Sequence, residues 1–210
     1  MTAPDDWAAK TEQQVLDEAL RLAPRLGWGR ETLLAAAKAA GLSAPEADLL
    51  FPNGGKDLVA LLSRRHDAAA LASLPDPATL KIRERIRAAV VARLDAAAPD
   101  HAALRRWAGF LSLPMNLPLA LRLVWESADH LWRWAGDTAT DENHYSKRAI
   151  LSGILIGTLA QDLTAGRAAA LETLDARIQN VMDFEKWKAG LKPSDFARDV
   201  AAALAKLRYG

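Results

Sequence analysis

Apolar positions recur every three or four residues along nearly the whole chain, and nowhere do they alternate over the length of a strand. Val, Ile, Thr and Tyr are too scattered to build sheets, whereas Ala, Leu, Arg and Glu dominate. The pattern predicts an all-α protein. Prolines and glycines interrupt the periodicity at intervals, which places ten helices at about 10–26, 30–40, 44–51, 55–73, 78–97, 100–112, 116–135, 140–164, 167–187 and 194–208.

The seventh of these carries the most information. At 100° per residue, Leu117, Leu121, Val124, Trp125, Ala128, Leu131, Trp132 and Ala135 share one broad face, with Arg122, Glu126, Asp129 and Arg133 opposite. A narrower stripe of Leu119, Leu123 and Trp134 beside His130 is a candidate contact surface, or a second buried side within one monomer. In the eighth helix, Ile150, Leu151, Ile154, Leu155, Ile156 and Leu159 spread around most of the circumference, which predicts a helix enclosed on nearly every side. Gly153 and Gly157 would let another helix or an elongated ligand lie close against it. Together with Ile82, Ile86 and Val90, these two helices can surround a long apolar tunnel; ordinary core packing fits the same pattern. The residues placed along such a tunnel are Leu121, Val124, Trp125, Ala128, Trp132, Ile154 and Leu155.

Composition narrows the class. The 210 residues are 50% hydrophobic, with 27 Lys+Arg against 26 Asp+Glu and a net charge of +1, which excludes a disordered tail or a nucleic-acid-coating protein. Without cysteine there is no disulfide framework, thiolate zinc site or thiol nucleophile. Met1 to Lys10 holds Asp5 and Asp6 and shows no basic stretch followed by an apolar one, so neither a secretory signal nor a transit peptide is expected. The most apolar run, Ala149 to Ala160, is too short for a spanning helix, which needs ~20 residues. Seven tryptophans against four phenylalanines and two tyrosines is an unusual aromatic balance. Trp107, Trp125, Trp132 and Trp134 all fall in the central stretch, as core filling, pocket lining or surface.

At the amino end, Ala39-Ala40-Gly41-Leu42-Ser43 supplies a glycine past one helix and a serine able to cap the next, the short turn of a helix-turn-helix. With Phe51-Pro52-Asn53-Gly54-Gly55-Lys56-Asp57-Leu58 this segment resembles the TetR class of helical regulators. Its third helix, Ala44-Pro45-Glu46-Ala47-Asp48-Leu49-Leu50, has two acids and no base, so the motif is expected to serve as scaffold without binding nucleic acid. The division expected is a helix-turn-helix-like bundle over 1–55, a larger ligand-binding helical domain over 56–190, and an amphipathic helix over 191–210.

Between the seventh and eighth helices runs Gly136-Asp137-Thr138-Ala139-Thr140-Asp141-Glu142-Asn143-His144-Tyr145-Ser146-Lys147-Arg148. Gly136 ends one helix, Thr138 or Thr140 can cap the next, and Asp141 and Glu142 meet the positive end of its dipole. This spelling resembles the Coq-nine family, the lipid-binding accessory proteins of ubiquinone biosynthesis, at Gly136, Asp137, Thr140, Asp141, Asn143, Tyr145, Lys147 and Arg148. Leu113-Pro114-Met115-Asn116-Leu117-Pro118 and Ala128-Asp129-His130-Leu131-Trp132 fit as well. The resemblance implies a TetR-like homodimer without DNA binding that holds an isoprenoid quinone precursor and presents it to the di-iron hydroxylase of the pathway. It implies a docking patch at Leu131, Asp141, His144, Tyr145 and Arg148. Ala139, Glu142 and His144 depart from the family pattern, the last two where it has aromatics.

The last helix places Phe196, Val200, Ala203, Leu204 and Leu207 on one side, so Phe196, Val200, Leu204 and Leu207 are the membrane-contacting candidates. Docking onto its own domain is the other reading of that face. The expected location is cytoplasmic, peripheral to the inner face of the membrane, or on the matrix side in a processed mitochondrial protein. No catalytic set, metal ligands or cofactor are expected. Four histidines lack zinc spacing, Glu126 and His130 read as a surface ion pair, and no phosphate-binding or nucleophile motif occurs. A ligand-responsive TetR-type regulator is the alternative function.

Overall fold

The computed structural model describes residues 4–138 and 142–190, side chains only from residue 7 to residue 183 and not at 142 and 143. The described residues form nine α-helices and no strand, as the periodicity predicts: α1 (Pro4–Leu26), α2 (Arg30–Ala39), α3 (Ala44–Leu50), α4 (Gly55–Ser73), α5 (Ile82–Ala97), α6 (His101–Leu111), α7 (Leu117–Trp134), α8 (Glu142–Thr164) and α9 (Arg167–Gly190). The helix expected at 194–208, with its four membrane-contacting candidates, lies outside the described residues.

Two boundaries differ from expectation. α1 is helical from Pro4, the first described residue, rather than from about residue 10. The helix expected from 78 is instead a 3-10 turn, Pro77–Thr79, followed by α5 from Ile82, since Asp76 caps the turn through the Ala78 N–H at 2.9 Å. The α2–α3 turn is built as its sequence requires. Gly41 takes φ +86°, and Ser43 and Glu46 form a reciprocal capping box.

Two apolar clusters divide the interior. The first joins Val15 and Leu16 of α1, Leu33 of α2, Leu58 and Leu62 of α4, Leu104 of α6 and Leu123 of α7. Trp28 plugs it, donating its indole N–H to the Ala103 carbonyl at 3.1 Å. Gly55 passes so close to the Trp28 carbonyl that a Cβ would stand 1.9 Å from the oxygen, so only glycine fits. The second cluster joins Ile86 and Val90 of α5, Ala128 and Leu131 of α7, Leu151 and Ile154 of α8, and Leu174 and Ile178 of α9. α7 contributes to both.

The two apolar faces read from the sequence are therefore reassigned. On α7 the core side is Leu123, Ser127, Ala128 and Leu131, while Leu117 and Leu121 from the broad face are 50% and 56% exposed. Leu119 and Leu123 pack into the first cluster, because α4 lies along that flank, so of the two readings of that stripe the second buried side within one monomer is the one found. Among the described residues α8 is not fully enclosed: Ile156 is 53% and Ile150 38% exposed, since α7 and α9 cover only part of its girth. Nor does any helix among the described residues lie along its glycines at backbone distance. Gly153 faces open space, and Gly157 is covered by the Arg177 guanidinium of α9.

Candidate functional site

α4, α5, α6, α7 and α8 converge on a cavity of ≈ 420 Å³. Its walls are largely hydrocarbon: Leu94, Trp107, Leu111, Leu121, Val124, Leu155, Leu159 and Leu163 all reach it. The volume lies within the ~300–1,000 Å³ typical of small-molecule sites. Trp107 is fixed at its wall by an indole N–H bond of 3.1 Å to the Val59 carbonyl. The cavity opens to solvent past Leu117, Leu121 and Ile156, each about half exposed.

One part of the wall is polar. Ser63 of α4, Arg93 of α5 and Ser127 of α7 all line the cavity and all are buried. Behind them stands Asp67, which accepts from Arg93 Nε at 2.6 Å; Ser127 Oγ sits 2.9 and 2.8 Å from its two oxygens and donates to one of them. His130 reaches the same carboxylate at 3.9 Å, so it pairs there rather than with Glu126, which binds Arg64 at 3.1 Å. Next along α4, His66 bonds Asp100 through Nε2 at 2.7 Å. Burial, reinforced by the Arg93 charge, pushes the His66 pKa down to about 4 despite Asp100. Geometry agrees, since buried Nδ1 has no partner and a proton there would be an unsatisfied donor.

The seven residues expected along a single tunnel are dispersed. Leu121, Val124 and Leu155 line the cavity. Trp132 and Ile154 line a separate hollow of ≈ 90 Å³ with Ile82 and Ile86, while Val90 is fully buried in the second cluster. Ala128 is buried in that cluster too, and Trp125 packs on Tyr145 with ring centroids 6.2 Å apart. The continuous tunnel is thus corrected to one cavity and one shallow hollow, because Ala128, Leu131, Leu151 and Ile154 close in between.

The α7–α8 corner is a knot of charge. Gly136 turns it with φ +91°, and Arg85 of α5 donates to the Ala135 carbonyl at 2.7 Å. Arg148, 1% exposed, gives Nε to Asp129 at 2.8 Å and Nη1 to Asp137 at 2.6 Å. Asp129 also binds Arg133, and Asp137 binds Lys147. Burial pushes both carboxyls up, but the hydrogen bonds from Arg148 and from Arg133 or Lys147 outweigh it and hold both below their ordinary value. Trp132 closes the corner, its indole N–H bonded to the Lys147 carbonyl at 2.9 Å beneath the Lys147 ammonium.

This geometry corrects two docking-patch residues. Leu131 is fully buried and Arg148 nearly so; both hold the corner from inside and offer no surface. Asp141 lies outside the described residues. Tyr145 remains, 63% exposed, stacked edge-on with His144 at 5.2 Å and backed by Trp125. Ser63, Arg93 and Ser127 were not anticipated as cavity residues, whereas pocket lining is one of the three readings open for Trp107. Arg93 carried a readable signal, a base inside the apolar stripe Ile86, Ala89, Val90, Leu94 and Ala97 of α5. Among the described residues no three His, Asp or Glu side chains gather as a metal site requires.

The class defined so far is an all-α protein with an apolar cavity, a partly polar wall and a charge-locked corner. Residues 117–185, which span α7, the corner, α8 and most of α9, match the family model described as COQ9. Over 186 residues the chain is 31% identical to the ubiquinone biosynthesis protein COQ9-B, mitochondrial, of Xenopus laevis, covering 81% of this chain and 62% of that protein. The chain is 27% identical over 192 residues to the ubiquinone biosynthesis protein COQ9, mitochondrial, of Homo sapiens, with 85% of this chain and 60% of that protein covered. The Drosophila melanogaster protein of that name is 26% identical over 198 residues, with 88% and 60% covered. The chain thus spans about three fifths of the length of these relatives.

Proposed function

We propose that this chain is a non-catalytic lipid-binding protein of ubiquinone biosynthesis, which holds an isoprenoid quinone precursor and presents it to the di-iron hydroxylase of the pathway. The observation that carries this reading is the ≈ 420 Å³ apolar cavity with an apolar mouth. Desolvating hydrocarbon there is favourable by about 25 cal/mol per Å2 of apolar surface removed from water. The names of the relatives supply the pathway. Those names also include the word mitochondrial, which supports a mitochondrial location where the protein is eukaryotic. The matrix side there, and the cytoplasmic face of the membrane otherwise, are part of the proposal.

The exposed Tyr145, with His144 and Trp125, is the surface offered to the hydroxylase, as aromatics are favoured anchors at interfaces. Homodimerisation on a TetR-like plan and membrane contact through Phe196, Val200, Leu204 and Leu207 complete the proposal. Among the described residues no single helix is long and apolar enough to cross a bilayer. The regulator alternative is disfavoured by charge. Arg30, a base near the turn, is held by Asp48 of α3 in a two-pronged pair at 2.8 Å, leaving it poorly placed for phosphate.

The test is native mass spectrometry of the purified protein, followed by titration of lipid-stripped protein with a short-tailed ubiquinone. Bound isoprenoid lipid and saturable uptake support the reading. Absence of both copurified lipid and saturable uptake would overturn it.

A further inference from the structure

We infer that the polar wall of the cavity recognises an uncharged oxygen-bearing headgroup, a quinone carbonyl or its phenolic precursor, with the tail running out toward Leu121 and Ile156. The inference rests on the lipid-binding reading and adds the orientation and chemistry of the guest.

Ser63 and Arg93 are the reason. Both line the cavity, at 3% and 8% exposure. Among the described residues the Ser63 hydroxyl makes no hydrogen bond, and Arg93 makes one, through Nε to Asp67. The guanidinium Nη groups and the Ser63 hydroxyl have no protein acceptor, yet they are not shut off from solvent, so in the open cavity they face it. A guest that fills the cavity strips that solvent from them, which is costly unless the guest supplies an oxygen acceptor in its place. Ser127 is not free in this way, because its hydrogen is spent on Asp67.

The charge sum selects the headgroup. Arg93 is neutralised by Asp67, and His66 beside it stays uncharged above about pH 4. A carbonyl or phenol oxygen accepts from Arg93 and Ser63 without adding charge. A phosphate would bring about −1.5 to −2 next to the buried Asp67 carboxylate, with no second cation among the described residues that line the cavity.

The experiment titrates lipid-stripped full-length protein with three probes of equal two-isoprene tail: a benzoquinone, the bare hydrocarbon, and the prenyl phosphate. Each is repeated on Ser63→Ala and Arg93→Lys, which keep the Asp67 pair, with circular dichroism to verify folding. The expected order is quinone first, by about tenfold over hydrocarbon. Ser63→Ala should cut quinone affinity by about three- to tenfold and leave hydrocarbon unchanged. Equal binding of quinone and hydrocarbon by the unsubstituted protein overturns the headgroup inference and leaves the lipid cavity standing. Preference for the phosphate overturns it likewise. Failure of every probe to bind overturns both, and the comparison among probes holds even if a variant fails to fold.

Discussion

Replacing Arg148 by methionine removes the cation at the centre of the α7–α8 corner while keeping most of the side chain's volume. Arg148 is 1% exposed and bonds two carboxylates, Asp129 at 2.8 Å and Asp137 at 2.6 Å. Breaking a buried pair from one side costs about 3–5 kcal/mol, because the remaining charge is left without compensation. Here Asp129 keeps Arg133 and Asp137 keeps Lys147, so the loss should fall at the lower end, about 3 kcal/mol. That is a large share of the ~5–15 kcal/mol that stabilises an ordinary domain. Urea unfolding at neutral pH, followed by circular dichroism, measures it as a lowered midpoint at constant slope. Acid adds a second readout. Both carboxyls titrate below their ordinary value in the fold, so their contribution is complete above about pH 4 and fades as pH falls through the folded pKa. The variant should lose less on acidification than the parent. A loss under about 1 kcal/mol, the scale of a surface ion pair, would refute the corner as a buried lock.

Three further outcomes are expected. Gly55→Ala drives a Cβ into the Trp28 carbonyl and should destabilise by about 3 kcal/mol or more in the same urea assay; a neutral effect would show that α4 and Trp28 separate freely. His66, followed by NMR, should not protonate until about pH 4; because the unfolded value near 6.5 is higher, its stabilising share is whole above pH 6.5 and shrinks toward pH 4 by about 3 kcal/mol. Titration of His66 near 6.5 in the folded protein would contradict the burial argument. Ala120→Trp fills the cavity from α7 and should reduce uptake of a short-tailed ubiquinone at least tenfold with helicity retained; unchanged uptake would place the guest elsewhere.

The helices were legible because Gly41, Ser43, Pro45 and Gly136 sit where their backbone chemistry ends or starts a helix. The spelling of the corner pointed to the family whose model matches residues 117–185. The orientation of α7 was harder to read. A helix between two neighbours has two buried sides, and its most apolar edge, Leu117 and Leu121, faces the cavity mouth rather than the core. A hydrophobic wheel cannot tell those apart, since greasy rim and greasy core look alike in sequence. Arg148 was misread for a related reason. Its partners stand 19 and 11 residues upstream across a turn, so no helical spacing announces that the charge is paired inside.

The half-exposed Leu117, Leu121 and Ile156 around the opening have a practical corollary for handling the protein. Uncovered hydrocarbon at a rim makes molecules stick to one another and to plastic, so delipidated preparations should scatter light increasingly as concentration rises. A trace of mild detergent, or a bound guest whose tail lies over those side chains, should restore clarity.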